Sequence, residues 1–266
     1  MDYLMYYGMT HNPFDKSVKT VIKTIDHQEL TFRLNYLVQT LGLGIVTGRP
    51  GTGKTIILRD FVGQLDQNQY RVNYLPLSTV SVSDFYSQLA ISLGIEPAYR
   101  KAQKFRQIQE RIAEMHDIER VTPILIIDEA QYLNGAIFDE LMLITNFEMD
   151  AEKKCVIILV GLPALAQRIQ RAQFEAFRQR LTINYQVIGM ENKEAVQYVN
   201  DKFKAAGVLS PVINEEALKT IIKQAGESIR RLDLIITQCL ILGANKQQRI
   251  IDNEIVFEAN TELALF

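Results

Sequence analysis

The stretch GRPGTGKT, Gly48 to Thr55, constrains the fold of this 266-residue chain more than any other part of the sequence. It matches the pattern G-x-x-x-x-G-K-[ST], follows the apolar run LGIVTG (43–48), and precedes an amphipathic stretch at 53–68 that favours a helix. Glycines let the backbone curl so that successive N–H groups and a helix N-terminus face phosphate oxygens. We therefore expect a nucleotide-phosphate loop between a strand and a helix.

The positions of this loop have distinct expected roles. Lys54 reaches the β and γ oxygens of the nucleotide, and the Thr55 hydroxyl ligates Mg²⁺. ATP and Mg²⁺ are therefore the cofactors that the pattern predicts. The residues expected to bind the nucleotide are Gly48, Arg49, Pro50, Gly51, Thr52, Gly53, Lys54, Thr55 and Ile56.

Short apolar runs alternate with longer amphipathic stretches over most of the chain. Runs rich in β-branched residues predict strands at 43–48, 70–77, 122–128, 155–161 and 181–187. The stretches between them predict helices at 53–68, 82–94, 102–117, 135–148 and 163–179. Because several strands are apolar on both faces, the pattern indicates an α/β fold with a parallel sheet flanked by helices.

The pattern changes after about residue 188. Three helical segments follow with Asn or Ser caps and Gly stops, and no strand pattern separates them: NKEAVQYVNDKFKAAG, NEEALKTIIKQAG and SIRRLDLIITQCLILGAN. We therefore predict two domains, an α/β nucleotide-binding domain at 1–187 and a small all-helical domain at 188–266.

An apolar strand that ends in two acids, ILIIDEA (124–130), supplies a partner for the loop. Unpaired carboxylates are costly to bury, so Asp128 and Glu129 predict that this strand end opens into a charged site. Asp128 fits a holder of Mg²⁺, and Glu129 fits a base that orients and deprotonates water. ATP hydrolysis is therefore favoured over phosphoryl transfer to a metabolite, and an acidic helix cap is the alternative.

Composition limits the protein class. A net charge of -2 excludes a generally basic DNA coat, so any nucleic-acid contact must come from local patches. Cys155 and Cys239 lie in apolar runs that favour buried, reduced thiols and hence the cytoplasm. The start MDYLMYYGMTHNPF has no secretion-signal pattern, and the longest apolar run, about 12 residues, is too short to cross a bilayer. We expect a soluble protein with no membrane segment.

The motifs together resemble the AAA+ ATPases. The shared features are the phosphate loop, the IDEA strand end, CVIILVG followed by LPAL, an arginine-rich helix end and a helical segment with IRRLD, in one order from about residue 10 to 260. YYGMTHNPF, DHQEL and ITNFEMDAEKKCVIILVGLPAL resemble the ExeA-type branch, which also contains transposition regulators such as Mu B, TniB and TnsC. The resemblance implies a AAA+ P-loop sheet with a C-terminal helical lid, and an ATPase.

The resemblance also implies roles for three arginines. AAA+ rings and filaments place each nucleotide between neighbours, and one subunit supplies an arginine to the γ-phosphate bound by the next. Arg178 and Arg180 in AFRQRLT match that position, and Arg180 is preferred over Arg178. Arg230 in GESIRRLD matches the second sensor, which touches the phosphates. A solvated helix surface is the alternative for each.

Two other site regions are less regular. The branch usually has a polar residue after the glycine that ends the fourth strand, whereas Gly161 is followed here by Leu162, which cannot orient water. Asn146 in LITNFE is expected to supply the polar contact, unless hydrolysis is slow or Asn146 is an ordinary helix-end residue. Family members fold the segment before the loop over the adenine, which predicts contacts from Phe14 and His27, although Phe14 fits a core anchor equally well.

The segment YRKAQKFRQIQER (99–111) concentrates positive charge in a chain with more acids than bases. Such a cluster can follow a phosphate backbone, and solvated helix surface is the alternative. In DNA-binding relatives this insertion lines the inner face of the assembly. The residues predicted to bind DNA are Arg100, Lys101, Lys104 and Arg106.

Three functions fit these observations. The preferred one is an ATP-dependent DNA-binding ATPase that assembles as a homo-oligomer, ring or helical filament, on double-stranded DNA and recruits or stimulates a transposase. The alternatives are an ExeA-type secretion-assembly ATPase and a nucleotide-switched scaffold without DNA. Secretion ATPases of this kind typically continue into a membrane segment and an envelope-binding domain, whereas this sequence ends after the lid, which favours the first function.

Overall fold

In the part of the chain that the structure describes, five parallel strands form one sheet in the order β2-β3-β4-β1-β5. The structure is a computed structural model that describes residues 2–15, 24–76 and 80–263. The parallel sheet flanked by helices confirms the predicted fold class, and each predicted strand is present to within one residue at either end. The strands are β1 (Leu43–Gly48), β2 (Tyr70–Pro76), β3 (Thr122–Asp128), β4 (Val156–Gly161) and β5 (Leu181–Val187).

Burial of the central strands on both faces explains their continuous apolar sequences. Alternate residues of β3 point to opposite sides, so Leu125 and Ile127 pack in one hydrophobic cluster while Ile124 and Ile126 pack in another. The first cluster is completed by helices that follow β2, β3 and β4, and the second by the helices on either side of β1. The edge strands β2 and β5 are buried at only some of their positions.

Within the described ranges, eight helices precede or connect the strands. They are α1 (Tyr3–Tyr7), α2 (Ile25–Gln39), α3 (Lys54–Gln64), α4 (Val82–Ser92), α5 (Lys101–Ala113), α6 (Gly135–Ile144), α7 (Pro163–Ile169) and α8 (Glu175–Gln179). Several of them differ from prediction. Helices α1 and α2 were not predicted, and α3 and α6 each end four residues before the predicted ends at 68 and 148. The expected helix 102–117 continues beyond α5 as a π-helical turn, Glu114–Ile118, and the expected helix 163–179 is divided by the 3₁₀ turn Ala172–Phe174 into α7 and α8.

Four helices follow β5, where the sequence predicts three: α9 (Asn192–Ala205), α10 (Glu215–Ala225), α11 (Ile229–Asn245) and α12 (Asn253–Leu263). Side-chain caps start α10, α11 and α12, since Asn214 accepts from the N–H of Ala217, Ser228 from that of Arg231, and Asp252 from that of Ile255. The extra helix α12 has a polar sequence, NEIVFEANTEL, but buries a short apolar stripe in the common core of these helices.

Two compact units can be separated by their internal contacts. One consists of 28–49 and 54–187, and the other of 1–27, 50–53 and 188–266. The second unit therefore includes two segments that the sequence predicts as part of a domain at 1–187. Phe14 packs edge-to-face on Phe203 with 5.2 Å between ring centroids, and the Asp26 carboxylate accepts from the N–H groups of Ile188 and Gly189. The domain division at 187/188 otherwise stays a prediction.

Both cysteines are buried and neither forms a disulfide, as their apolar surroundings in the sequence indicate. Cys155 lies just before β4 and Cys239 lies in α11. Over the described residues, no helix combines the length and the apolar composition needed to cross a membrane.

Candidate active site

The carboxyl ends of β1, β3 and β4 meet at one edge of the sheet. Thr47 of β1 pairs with Gly161 of β4, and Ile127 of β3 pairs with Leu159 of β4. The residues that leave these three strands therefore start from neighbouring positions. In open parallel sheets, ligands bind at this edge, where the strand order reverses. The fold thus brings together the loop at Gly48, the acids at Asp128 and the glycine at position 161.

The loop after β1 has the backbone that its glycines predict. Gly51 and Gly53 have φ angles of 82° and 99°, in a region that favours glycine because it has no Cβ. Helix α3 begins at Lys54, whose ammonium donates to the carbonyl oxygens of Gly48 at 2.6 Å and Arg49 at 2.9 Å. Thr55 lies exposed in the first turn of α3. The ammonium is thus held across the loop in which phosphate is expected.

Asp128 is held on both of its carboxylate oxygens. Oδ1 accepts from the backbone N–H of Glu129 at 2.8 Å, and Oδ2 accepts from the hydroxyl of Tyr74 at 2.6 Å. Burial and this hydrogen bond raise the pKa of Tyr74 to about 12, so the hydroxyl keeps its proton at neutral pH. Sequence reasoning missed Tyr74. The pairing of β2 with β3 aligns Pro76 with Asp128, and a prediction of that register would have pointed to Tyr74.

Glu129 leaves the strand in a left-handed conformation, with φ 55°. This conformation is uncommon for a residue other than glycine, and such backbone cost concentrates at functional sites. The exposed carboxylate accepts from the side-chain amide of Gln131, with Nε2 2.6 Å from Oε2. Gln131 in turn accepts from the backbone N–H of Leu162 at 3.0 Å. Sequence reasoning missed Gln131, although it lies only two residues after Glu129.

Asn146 does not supply the polar contact that was expected of it. Its backbone carbonyl accepts from Gln109 Nε2 at 3.2 Å, and the residue lies exposed beyond the far end of α6. Helix α6 has 10 residues. At a rise of about 1.5 Å per residue, its length separates Asn146 from the acidic strand end. The assignment of Asn146 is therefore wrong, because α6 carries it away from the site, and Gln131 makes the polar contact to Glu129.

Arg178 and Arg180 flank the end of α8, and both donate to backbone carbonyls of their own chain. Arg178 donates to Ile169 at 2.8 Å and to Arg171 at 2.9 Å. Arg180 donates to Met142 at 3.2 Å. The two short bonds of Arg178 stabilise the turn between α7 and α8. The role of either arginine in trans stays a prediction.

Arg230 lies next to the phosphate loop within the second unit. Its backbone N–H donates to the carbonyl of Gly51 at 3.3 Å, and its side chain is exposed. Phe14, by contrast, is 4% exposed in the core of this unit, which supports its alternative reading as a core anchor. His27 is also buried, and its backbone N–H donates to Thr24 Oγ1 at 3.1 Å. Neither buried ring is placed as an adenine contact.

The burial of Lys104 contradicts its predicted role in DNA binding. Only 7% of the residue is exposed, and its ammonium donates to Ser87 Oγ at 2.7 Å and to the hydroxyl and carbonyl oxygens of Ser83. These bonds tie α5 to α4, so the ammonium faces away from solvent. The basic segment of the sequence does not predict the burial of Lys104, because the serines that accept from its ammonium precede it by 17 and 21 residues.

The other three basic residues of this cluster remain accessible. Lys101 pairs with Glu140, and its side chain is about half exposed. Arg106 pairs with Glu110 at 2.7 Å, with 81% of its side chain exposed. Arg100 is exposed at the start of α5 and follows Tyr99, which is 97% exposed. We call Tyr99, Arg100, Lys101 and Arg106 the basic tip.

Known proteins are similar to this chain over different parts of its length. A family model described as an AAA domain matches residues 38–169. General secretion pathway protein A of Aeromonas hydrophila is 26% identical over 265 residues, which cover 97% of this chain and 48% of that protein. ATP-dependent target DNA activator B of Escherichia phage Mu is 27% identical over 124 residues, 46% of this chain and 37% of that protein. The chain thus spans about half or less of the curated relatives it matches.

Solved structures show the same fold. Cdc6p from Pyrobaculum aerophilum superposes with a TM-score of 0.71 at 17% identity, covering 94% of this chain and 70% of that chain. The RuvB Holliday junction branch migration motor of Thermotoga maritima gives a TM-score of 0.57 at 18% identity, covering 94% of this chain and 72% of that chain. Residues 38–169 thus form an AAA domain, which contains the phosphate loop and the acidic strand end of a P-loop ATPase.

Proposed function

We propose that this ATPase assembles with copies of itself on double-stranded DNA in its ATP-bound form and there recruits or stimulates a transposase. The observation that carries the proposal is the basic tip, where accessible cations follow an almost fully exposed tyrosine along the chain. Cations neutralise phosphates, and an aromatic face can stack on a base. The partial match to a phage protein named as an ATP-dependent target DNA activator supports the same function.

Nucleotide chemistry in this proposal uses the residues at the sheet edge. The loop N–H groups and Lys54 hold the phosphates, and Glu129 accepts a proton from the attacking water. Arg230 stays a predicted phosphate contact. Thr55 and Asp128 would hold Mg²⁺, and the ion would neutralise phosphate charge when bound. Their hydroxyl and carboxylate oxygens are the hard ligands that Mg²⁺ prefers, and each Asp128 oxygen retains a lone pair beyond its observed hydrogen bond.

A second function has its own support. The match to a general secretion pathway protein extends over 97% of this chain, whereas the match to the phage activator extends over 46%. A secretion-assembly ATPase would use the same nucleotide site but would not need DNA at the basic tip. The two functions therefore differ in a measurable way.

The decisive experiment measures binding of a fluorescent DNA duplex by anisotropy, with Mg²⁺ and either ATP or ADP. We expect binding with ATP and much weaker binding with ADP. If the two arginines of the basic tip contact phosphates, their loss should reduce the slope of log affinity against log salt by about 0.9 per contact. Arg100→Ala with Arg106→Ala should therefore flatten the slope by about 1.8 per subunit and weaken binding to all sequences alike.

A matched control removes the same charge elsewhere. Lys204 and Lys219 are exposed, pair with Asp201 and Glu215, and lie on α9 and α10. Lys204→Ala with Lys219→Ala should leave the salt slope unchanged. Equal effects of the two double variants would mean that net charge, not the basic tip, binds DNA. Absence of ATP-dependent binding by the wild type would favour the secretion function or a nucleotide-switched scaffold.

A further inference from the structure

The candidate base and the end of β4 are joined by one side chain, Gln131. It lies in the 3₁₀ turn Ala130–Tyr132 directly after the acidic strand end. Its Nε2 donates to Glu129 Oε2 at 2.6 Å, and its Oε1 accepts from the N–H of Leu162 at 3.0 Å. Position 162 is where the AAA+ resemblance leads one to expect a polar side chain, and leucine has none to offer.

The direction of the amide follows from its two partners. The backbone N–H of Leu162 can only donate, so it must face Oε1 of Gln131. The Nε2 group then faces Glu129, where an ionised carboxylate can only accept. A flipped amide would place two donors together at one end and two acceptors at the other. Glutamine is therefore matched to both neighbours in one orientation only.

Two further features keep Gln131 in place. A Cβ atom on Gly161 would lie 2.5 Å from Gln131 Oε1, so only glycine leaves room for this contact. Arg168 of α7 donates to the backbone carbonyls of Gln131 at 3.2 Å and Leu133 at 2.5 Å. The same guanidinium lies over the rings of Phe138 and Phe174, at 5.4 Å and 5.7 Å from their centroids. The turn that carries Gln131 is thus fixed from the β4–α7 side.

We propose that Gln131 is a positioning residue for ATP hydrolysis, which holds the Glu129 carboxylate against the end of β4 in the orientation that activates water. It supplies from the acidic strand end the polar link that Leu162 cannot supply from β4. The proposal rests on the proposed role of Glu129 as the base. Because Gln131 acts through Glu129, its loss should slow turnover without weakening ATP binding.

The test compares steady-state ATPase activity and ATP affinity of Gln131→Leu with those of wild type. Leucine has a similar volume and removes both hydrogen bonds. We expect kcat to fall about 10- to 100-fold, less than the roughly 10²- to 10⁴-fold attributed to the base itself, because Glu129 remains present. KM and ATP affinity should change less than about twofold. Gln173→Leu is the control, because Gln173 is the exposed central residue of the other Ala-Gln-aromatic 3₁₀ turn, Ala172–Phe174. It should behave as wild type.

A double variant separates positioning from general damage. If Gln131 acts only through Glu129, then adding Gln131→Leu to Glu129→Gln should cause no further loss of kcat beyond about twofold. Multiplied losses would overturn the proposal, and so would wild-type kcat in Gln131→Leu. Full activity in Glu129→Gln alone would instead refute the role of Glu129.

Gln131→Glu keeps the side-chain volume at position 131. It tests the contact between this side chain and Glu129 if Gln131→Leu does not fold. Two carboxylates in contact tend to share one proton, so the acid limb of its kcat–pH profile should move to higher pH, with unchanged ATP affinity. An unshifted profile with wild-type kcat would show that the side chain at position 131 does not govern Glu129.

Discussion

The contacts of Lys54 and Glu129 predict that substituting the first weakens ATP binding and substituting the second slows turnover. Lys54 donates to two carbonyls of the phosphate loop, whereas the Glu129 carboxylate accepts from Gln131. Lys54→Ala should weaken ATP binding on the order of 100-fold, because about two charge-assisted hydrogen bonds to phosphate are lost. Glu129→Gln should keep ATP affinity and slow turnover by about 10² to 10⁴. Calorimetric ATP titration with single-turnover kinetics distinguishes them, and equal losses of affinity would contradict the assignment.

Tyr74 predicts a dependence on metal concentration. Its hydroxyl donates to Asp128 Oδ2 at 2.6 Å and, with a pKa of about 12, stays protonated over the working pH range. Removing a partner that orients a metal-binding carboxylate typically costs about 10-fold or more in metal affinity. Tyr74→Phe should therefore raise the Mg²⁺ concentration for half-maximal ATPase activity by roughly 10-fold.

Tyr132→Phe is the control for Tyr74→Phe. Tyr132 lies close in sequence to the same strand end and is exposed, and its hydroxyl makes no hydrogen bond within the part of the chain that the structure describes. Its Mg²⁺ dependence should match that of wild type. An identical Mg²⁺ dependence in Tyr74→Phe would mean that Asp128 needs no orientation by the neighbouring strand.

The α4–α5 pair shows how a charged side chain can act as a structural clamp. Lys104 is buried between these helices and bonded to Ser83 and Ser87, so its loss should be felt in stability. Lys104→Met keeps the apolar stem but removes the ammonium, which should lower the free energy of unfolding by about 1 to 2 kcal/mol. Urea denaturation measures the change.

Arg106 on the same helix provides the comparison. Its pair with Glu110 is exposed, and such pairs contribute little to stability, so Arg106→Ala should leave the urea midpoint nearly unchanged. DNA binding should show the opposite pattern. Arg106→Ala should weaken DNA affinity, whereas folded Lys104→Met should bind DNA as wild type does. An equal loss of stability in both would contradict the clamp.

At the scale of the assembly, we predict ATPase sites that are shared between neighbouring copies of the chain. If Arg180 acts in trans, Arg180→Ala and Glu129→Gln should each be poorly active alone. In an equal, random mixture about a quarter of sites would pair an intact Glu129 with an intact Arg180 from a neighbour. Titrating one variant into the other should therefore restore ATPase activity toward that fraction. If no ratio restores activity, Arg178 is tested in the same way before the trans role is abandoned.

Each compact unit contains one buried thiol, which makes the cysteines probes of whole-molecule stability. Burial raises the pKa of Cys155 and of Cys239 to about 12. At pH 8 only about 10⁻⁴ of such a thiol is ionised, and the thiolate is the reactive form. Neither cysteine should react with iodoacetamide until its unit opens. The single variants Cys155→Ala and Cys239→Ala let labelling in increasing urea follow one unit at a time.

The two labelling curves have a clear interpretation. Coincident curves would mean that the two units unfold together, and separate curves would mean that they unfold independently. Rapid labelling of either cysteine without urea would contradict its burial.

The sequence by itself determined the strands, the phosphate loop and the acidic strand end. Each depends on neighbours in the chain. A buried parallel strand needs a continuous apolar run, and a phosphate loop needs glycines and lysine at fixed spacing. Local chemistry was therefore sufficient to predict the strands, the phosphate loop that begins at Gly48 and the acidic strand end at Asp128 and Glu129. The same reasoning predicted that Cys155 and Cys239 lie in apolar surroundings.

Only the tertiary structure decided which of the remaining polar residues are available for chemistry. Lys104 and Arg106 are both basic residues of the same sequence segment. Lys104 is nevertheless buried against α4, whereas Arg106 is exposed. The polarity of Asn146 predicts a role for it at the site, but the chain turn at Glu129 directs Gln131 there instead, while α6 carries Asn146 away. These outcomes depend on contacts between residues far apart in the chain, and hydrophobic periodicity does not encode which side chains such contacts bring together.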